Sequence, residues 1–407
     1  MKIEVDTVKG FQDYLPPASL KRNAVRKIIE KHFKLYGFVP LETPVVEFDE
    51  LMKNETLTLE EDEAVSDRFR LKDRAGRNLG LRYEFTFQLA RIFKQNPNIK
   101  LPFRRYQIGE VFRDEPTGTG RFRQFVQCDA DIIGDSSVNA DADCLAMISD
   151  VLKELGVKAE IEVNNRKLLN AIIESVEISD GKGVMKEIDK IDKIGEDMLK
   201  SNLKKYADVN QIITLFKMME KDINFFKENA FDGAEEMANL IEACKKHGVN
   251  VKFNPHMVRG LSYYTGNIFE VKVDGKMSIA AGGRYDNSVG KFSGREIPAV
   301  GISFGLERVS ELAKTKGEQI PKLIIISLDK DKDCISLAKK LRKEGASCEV
   351  FFEKVGKALE YANALAVPYV IFVGANEVSK GKFKLKDMKS GDEKFLTEKQ
   401  LLNMFEE

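Results

Sequence analysis

The stretch VRGLSYYTG, Val258 to Gly266, sets Arg259 beside a glycine and follows it with Ser262, Tyr263, Tyr264 and Thr265. A fixed guanidinium next to phenols suits charge stabilisation beside a hydrogen-bonded ligand. A second group lies upstream. Arg113 ends the run FRRYQIGEVFR, and after the turn-rich DEPTGTGRF come Phe125, Gln127, Asp129 and Asp131 at alternate positions. A third is GISFGLERV, which ends on Arg308 before its valine. A guanidinium to grip an α-phosphate, an aromatic to stack on a base and a second cation on the other side make a nucleotide site. Arg113, Phe125 and Arg308 supply those types. A phosphate loop does not: the nearest match, SVGKFSG, has Tyr285 where the first glycine belongs and Phe292 after the lysine. Any bound nucleotide is therefore expected on a sheet.

Composition narrows the remaining possibilities. With 407 residues, 43% of them hydrophobic, the chain predicts two or three domains. Lys+Arg 65 against Asp+Glu 65 leaves no net charge, which neither recruits nor excludes a nucleic acid. No apolar run approaches the roughly 20 residues of a membrane span, and MKIEVDTVKG resembles neither a secretory nor a transit signal, so a soluble, cytoplasmic protein is expected. The cysteines (Cys128, Cys144, Cys244, Cys334, Cys348) contain no C-x-x-C, and His32, His247 and His256 contain no H-x-x-x-H. Neither a built-in transition-metal site nor a histidine base is expected.

These groups need elements to hold them. Val25, Ile28, Ile29, Phe33 and Tyr36 form one helical stripe that stops at Gly37. Pro40 and Pro44 in FVPLETPVVEF predict a sheet edge or interface, and RFRLKDRAGRNLGLRYEFT predicts two short strands joined by Asp73 to Gly76. In the next hairpin Tyr106, Ile108, Val126, Cys128, Ala130 and Ile132 are even-numbered. Gln107, Gly109, Phe125, Gln127, Asp129, Asp131 and Arg113 are odd-numbered. Period-two alternation sends the sets to opposite faces, one of them core. The other could be a solvated sheet face, the commoner case for a lone hairpin, but an aromatic among carboxylates and an amide, facing an arginine, suits a ligand floor better. Residues 165–250 are Lys/Glu-rich with helical periodicity and show no site-like cluster, so a helical insertion is predicted. Strands return at NIFEVKVDGKMSIAAGGRYD, with Asp274-Gly275 as the turn, and PAVGISFGLERVSEL is a strand entering a helix. After KTKGEQIP, alternating strands and helices predict a small α/β domain, in which the lysines of KGKFKLK suit either nucleic acid or an exposed edge strand.

Taken together, FRDEPTGTGRFRQF and GISFGLERV resemble the second and third signatures of class II aminoacyl-tRNA synthetases, and RGLSYYTG and AGGRYD resemble the two signatures particular to histidyl-tRNA synthetases. The resemblance covers essentially the whole chain. It implies an α+β class II catalytic core, an antiparallel sheet flanked by helices, in residues 1–164 and 251–317. A helical insertion at 165–250 would interrupt it, and an α/β anticodon-binding domain at 318–407 would follow. The implied activity is a histidine-tRNA ligase using ATP and Mg²⁺. The histidine site would be Glu84, Phe85 and Thr86 of LRYEFT with Arg113, Gln127, Asp131, Arg259, Tyr263, Tyr264 and Tyr285. Glu84, Thr86 and Gln127 would take the ammonium, Asp131 and Tyr264 the imidazole. Arg113, Glu115, Phe125 and Arg308 would hold ATP, Arg113 and Arg259 would be catalytic, and Arg121 and Arg123 would contact the tRNA. The glycines of AGGRYD would let the pocket wall approach the ligand. Pro44, in the place of the first signature, implies a homodimer. The family usually has Asp where Ser262 stands. A regulatory relative without activity would have lost ATP-contacting residues, yet Arg113, Glu115, Phe125, Arg259 and Arg308 are all here.

Overall fold

The computed structural model describes residues 5–52, 67–118, 120–259, 263–275 and 277–405. Gly260 of RGLSYYTG and Ser262, where the family usually has Asp, lie outside them. The chain divides into two compact units, Met1–Thr315 and Lys316–Glu407.

The first unit begins with α1 (Ala18–Leu35), β1 (Val39–Pro40) and β2 (Val46–Phe48), followed by β3 (Arg70–Lys72), β4 (Asn78–Leu81) and α2 (Phe87–Gln95). The hairpin strands β5 (Phe103–Phe112) and β6 (Gln124–Ile133) lead to α3 (Val138–Leu155) and β7 (Glu160–Asn165). A run of helices comes next: α4 (Arg166–Ser175), α5 (Gly181–Ile188), α6 (Ile191–Ile194), α7 (Glu196–Leu203), α8 (Val209–Met219), α9 (Ile223–Glu228) and α10 (Ala234–Lys246). Then β8 (Lys252–Phe253), β9 (Asn267–Val273), β10 (Met277–Arg284), β11 (Ala299–Gly305) and α11 (Leu306–Leu312) complete it.

Eight strands form one sheet in the order β1-β5-β6-β11-β10-β9-β7-β8, and every pairing among its six inner strands is antiparallel. The proline-bearing β1 lies at the edge, where a missing N–H costs no ladder bond. A separate three-stranded sheet, β2-β4-β3, carries the expected short strand pair. Tyr106, Val126, Cys128, Ala130 and Ile132 form the even-numbered core face, buried with Val25, Ile29 and Phe33 of α1 and with α3. Each such aliphatic or aromatic side chain stabilises the unit by roughly 1.5–3 kcal/mol. At the β9–β10 turn Asp274 (φ 49) and Gly275 (φ 66) are both left-handed, the conformation that tightens a hairpin in the sense of the strand twist.

The stretch 165–250 is helical but serves two cores. Side chains of Asn165, Asp180, Asp208 and Asp222 accept first-turn N–H groups and so start α4, α5, α8 and α9. Leu168, Val184, Leu199, Leu215 and Phe226 from these helices share an apolar cluster with Tyr263, Tyr264 and Tyr285. In contrast, α10 sends Met237, Leu240 and Cys244 into the core of the large sheet.

The second unit consists of β12 (Leu323–Ser327), α12 (Asp331–Lys343), β13 (Cys348–Phe351), α13 (Val355–Ala364), β14 (Tyr369–Val373), α14 (Ala375–Lys380), β15 (Lys382–Asp387), β16 (Glu393–Thr397) and α15 (Glu398–Phe405). Its strand order is β13-β12-β14-β15-β16, parallel across β13, β12 and β14 and antiparallel thereafter. The edge-strand reading of KGKFKLK is corrected: β15 is paired on both sides and β16 is the edge. Its lysines stand on one face, where Lys384 pairs with Glu393 at 2.8 Å, while Phe383 and Leu385 are buried on the other.

Candidate active site

The odd-numbered face of β6, with residues of β9, β10 and β11, floors a cavity of about 770 Å³, within the range of small-molecule sites. Phe125, Gln127, Asp129 and Asp131 stand along β6 and point into it. Register explains how they fit. Arg105 of β5 lies opposite Asp131, and on the other flank Gly301 of β11 lies opposite the same residue. A methyl group at Gly301 would overlap the Asp131 carboxylate, so that glycine gives the carboxylate its place.

One end is rich in carboxylates. Glu84, just before α2, accepts the Phe87 N–H at 3.1 Å and the Tyr263 hydroxyl at 3.0 Å. Burial outweighs these bonds and pushes its pKa up to about 7. Burial likewise pushes Asp129 up to about 8, against the pull of Arg105. Asp131 is raised too, although Arg105 pairs with it at 2.6 Å and the Tyr285 hydroxyl donates to it. Arg105 is wholly buried; desolvation opposes its charge, but Asp131, Tyr285, Asp129 and Glu84 together hold its pKa above the ordinary value. Three carboxylates thus face one fixed cation. Among the described residues, Gln127 Oε1 and Asp129 Oδ1 are buried without a hydrogen-bond partner. This end can accept a cationic, donor-rich ligand.

The other end is rich in guanidinium groups. Arg113 lies 4.3 Å from the ring centre of Tyr83 and 5.1 Å from that of Phe125, and Tyr83 donates to Glu115 at 2.9 Å. Arg308 is anchored to the carbonyls of Ser278 at 2.7 Å and Gly120 at 3.3 Å. Burial, then Arg121 and Arg113, lower its pKa, which marks a place short of negative charge. Arg259 enters the cavity paired with Glu270 at 2.8 Å. Desolvation opposes its charge, yet Glu270, Tyr264, Asp189 and Tyr263 together outweigh that and its pKa is raised. Together these groups can hold a polyanion with an aromatic tail.

The expected residues Glu84, Thr86, Arg113, Glu115, Arg121, Phe125, Gln127, Asp131, Arg259, Tyr263, Tyr264, Tyr285 and Arg308 all line this one cavity. Tyr263 and Tyr264 both reach it because their stretch is not a regular strand; their ring centres are 4.9 Å apart. One expectation is corrected. Phe85 does not line the cavity: it is wholly buried beneath Arg82 and beside Gly109. Of the glycines of AGGRYD, Gly282 lines the cavity, and both also serve the fold, since a methyl at Gly282 would strike the Gly301 carbonyl and one at Gly283 would lie 2.8 Å from the Tyr264 ring. Arg123 is also absent from the lining; it pairs with Asp114 at 3.1 Å and donates to the Glu115 carbonyl, bracing its own loop. Arg121 faces the polyanion end. Sequence reasoning placed Asp129 on the floor face but missed Arg105, Glu270, Lys272, Asp189 and Asp192. Arg105 reaches the site through Asp131, and the other four line the cavity, Asp189 and Asp192 from the α5–α6 segment by tertiary packing alone.

An antiparallel sheet with a guanidinium-bearing hairpin, a third arginine on the helix after β11 and a separate anticodon-type unit defines a class II aminoacyl-tRNA synthetase. Residues 10–309 match the family model for histidyl-tRNA synthetase, and residues 322–407 match that for an anticodon binding domain. The chain is 38% identical to "Histidine--tRNA ligase 1" of Bacillus cereus, over 96% of this chain and 95% of the other. It is 32% identical to the Clostridium tetani histidine–tRNA ligase, over 97% and 96%. The crystal structure of histidyl-tRNA synthetase from Nostoc superposes with a TM-score of 0.87, 27% identity and 99% coverage of both chains. The protein belongs to the histidyl-tRNA synthetase family.

Proposed function

We propose that this chain is a histidine-tRNA ligase that activates histidine with ATP and passes the acyl group to the 3′ end of histidine tRNA. Full-length similarity to curated histidine–tRNA ligases supports this reading. The observation that carries it is the juxtaposition, in one cavity, of a carboxylate end suited to an amino-acid cation and a guanidinium end suited to a triphosphate.

In our assignment Glu84, Thr86 and Gln127 take the histidine ammonium, and Asp131, Tyr285, Tyr263 and Tyr264 bound the imidazole. An isostere lacking the ring nitrogens would leave these buried groups unpaired. Phe125 lies on adenine with Glu115 at its edge, and Arg308 reaches the terminal phosphate. Arg113 grips the histidine carboxylate and the α-phosphate. One carboxylate oxygen then attacks the α-phosphorus, the bond to the bridging β-phosphate oxygen breaks, and pyrophosphate leaves with its electron pair. No protein base is needed, so Arg259 contributes by stabilising charge at the α-phosphate.

Mg²⁺ enters with the ATP polyphosphate as part of the substrate. Such an ion keeps water and phosphate oxygens as its main ligands. The proposal includes the second unit as the anticodon reader, a cytoplasmic location and a homodimer. Exposed Val39, Val45, Val46, Phe48 and Leu71 on or beside the edge strands β1, β2 and β3 favour the dimer. No described helix is long and apolar enough to cross a membrane.

Exchange of pyrophosphate into ATP, assayed with each amino acid in turn, tests the reading. Histidine should support exchange and proline or threonine should not; the reverse order would overturn it.

A further inference from the structure

Beyond Arg259, the cavity holds a chain of charges that the reaction as derived leaves unused. Glu270 and Lys272 stand two residues apart on β9 and therefore on the same face. Glu270 binds Arg259 through one oxygen at 2.8 Å and approaches Lys272 Nζ with the other at 3.5 Å. Lys272 also pairs with Glu162 of β7 at 3.1 Å and with Asp192 of α6 at 2.7 Å. Its side chain is 7% exposed, while that of Asp192 is 53% exposed. Burial alone would lower the lysine's pKa; its carboxylate partners raise it instead, so the ammonium stays charged. Ile188, Asp189, Ile191 and Lys193 around Asp192 line the same cavity, making the α5–α6 segment one of its walls. A single buried ammonium thus touches both the partner of Arg259 and the helical wall.

We propose that Lys272 is a positioning residue: through Glu270 it sets the orientation of Arg259, and through Asp192 it fastens the α5–α6 wall, so that the wall and the arginine are held as one assembly. This rests on the ligase reading and deepens it. A charged pair leaves Glu270 two cations to satisfy, and removing Lys272 returns both carboxylate oxygens to Arg259. The guanidinium is then drawn toward Glu270 and away from the α-phosphate. A displacement of about 1 Å at such a group costs about 10²-fold in rate. Asp192 is half in solvent, so its loss should cost less.

The test uses the full-length protein and pyrophosphate exchange with histidine, read as kcat and KM for Lys272→Met, Lys272→Arg, Asp192→Asn, Glu270→Gln and the Glu270→Gln/Lys272→Met pair. Lys272→Met should lower kcat about 10²-fold, with KM for histidine changed by less than about threefold. Lys272→Arg should recover most of that loss, and the double variant should be no worse than Glu270→Gln alone within about twofold. Asp192→Asn should speed tryptic cleavage of the 190–193 segment at least about threefold while the fold, followed by circular dichroism, is kept. Normal kcat in folded Lys272→Met, a full additive loss in the double variant, or unchanged cleavage in Asp192→Asn would each overturn the inference. If Lys272→Met does not fold, Lys272→Arg as impaired as Glu270→Gln would overturn it, and near-normal kcat would support it. A wild-type enzyme without histidine-dependent exchange would instead overturn the ligase reading.

Discussion

Replacing Glu84 with Gln should make the ligand-free protein more stable at pH 8 while removing its ability to hold histidine. The carboxyl is 3% exposed, and burial lifts its pKa from an ordinary 4.5 to about 7. Between those values the folded protein binds more protons than the unfolded chain, so stability falls as pH rises from about 4.5 to about 7. At about 1.4 kcal/mol per pH unit, ionising Glu84 costs the folded state about 3 kcal/mol at pH 8. The two bonds fall on different carboxylate oxygens; an amide keeps an oxygen for the Phe87 N–H, its NH2 can donate to the Tyr263 oxygen once that hydroxyl turns, and it carries no charge to desolvate. The Glu84→Gln protein should therefore unfold at higher denaturant at pH 8 and at nearly the same denaturant at pH 5, where the native carboxyl is already protonated. Calorimetry adds a second reading. Below pH 7, histidine must displace the Glu84 proton on binding, so the observed heat should vary with the ionisation enthalpy of the buffer, and the variant should show no binding. Equal stability differences at pH 5 and pH 8, or a loss at pH 8, would refute the reasoning.

Arg259→Ala should lower histidine-dependent exchange about 10²–10³-fold while histidine binding remains measurable by calorimetry; near-normal exchange would remove its assigned role. Tyr285→Phe takes the donor from Asp131, leaving a buried oxygen short of a bond at about 1–3 kcal/mol, so KM for histidine should rise about 10–100-fold. Gly301→Ala should fold, as judged by circular dichroism, but fail to bind histidine, because its methyl takes the space of the Asp131 carboxylate; unaltered binding would show that Asp131 can move aside.

Strand parity makes the β6 part of the cavity floor legible in the amino-acid sequence, since β6 is long and regular and its odd-numbered side chains line the cavity. It places Asp129 beside Asp131, but nothing local marks Arg105 as buried: a lysine- or arginine-bearing strand end reads as solvated until the partner strands are known. Glu270 and Lys272 have the same ambiguity on β9. Asp192 lies 80 residues from Lys272, and its role follows only from where the helices after β7 return. Local rules also leave Gly282 and Gly283 undecided, because a glycine in a strand signals a close neighbour without saying whether that neighbour is ligand or protein. Likewise, the alternating lysines of β15 describe one face of a strand and carry no information on whether both of its edges are paired.

The contact between Gly283 and the Tyr264 ring has a consequence for redesign. The width of the proposed amino-acid pocket is set partly from behind, by the side chain that β10 lacks at that point. A binder for a larger heteroaromatic amino acid would need Tyr264 to retreat, and the backbone it already rests against gives it nowhere to go. Shortening the tyrosine is the open route, whereas any bulk added at residue 283 would push the ring forward and narrow the choice to smaller ligands.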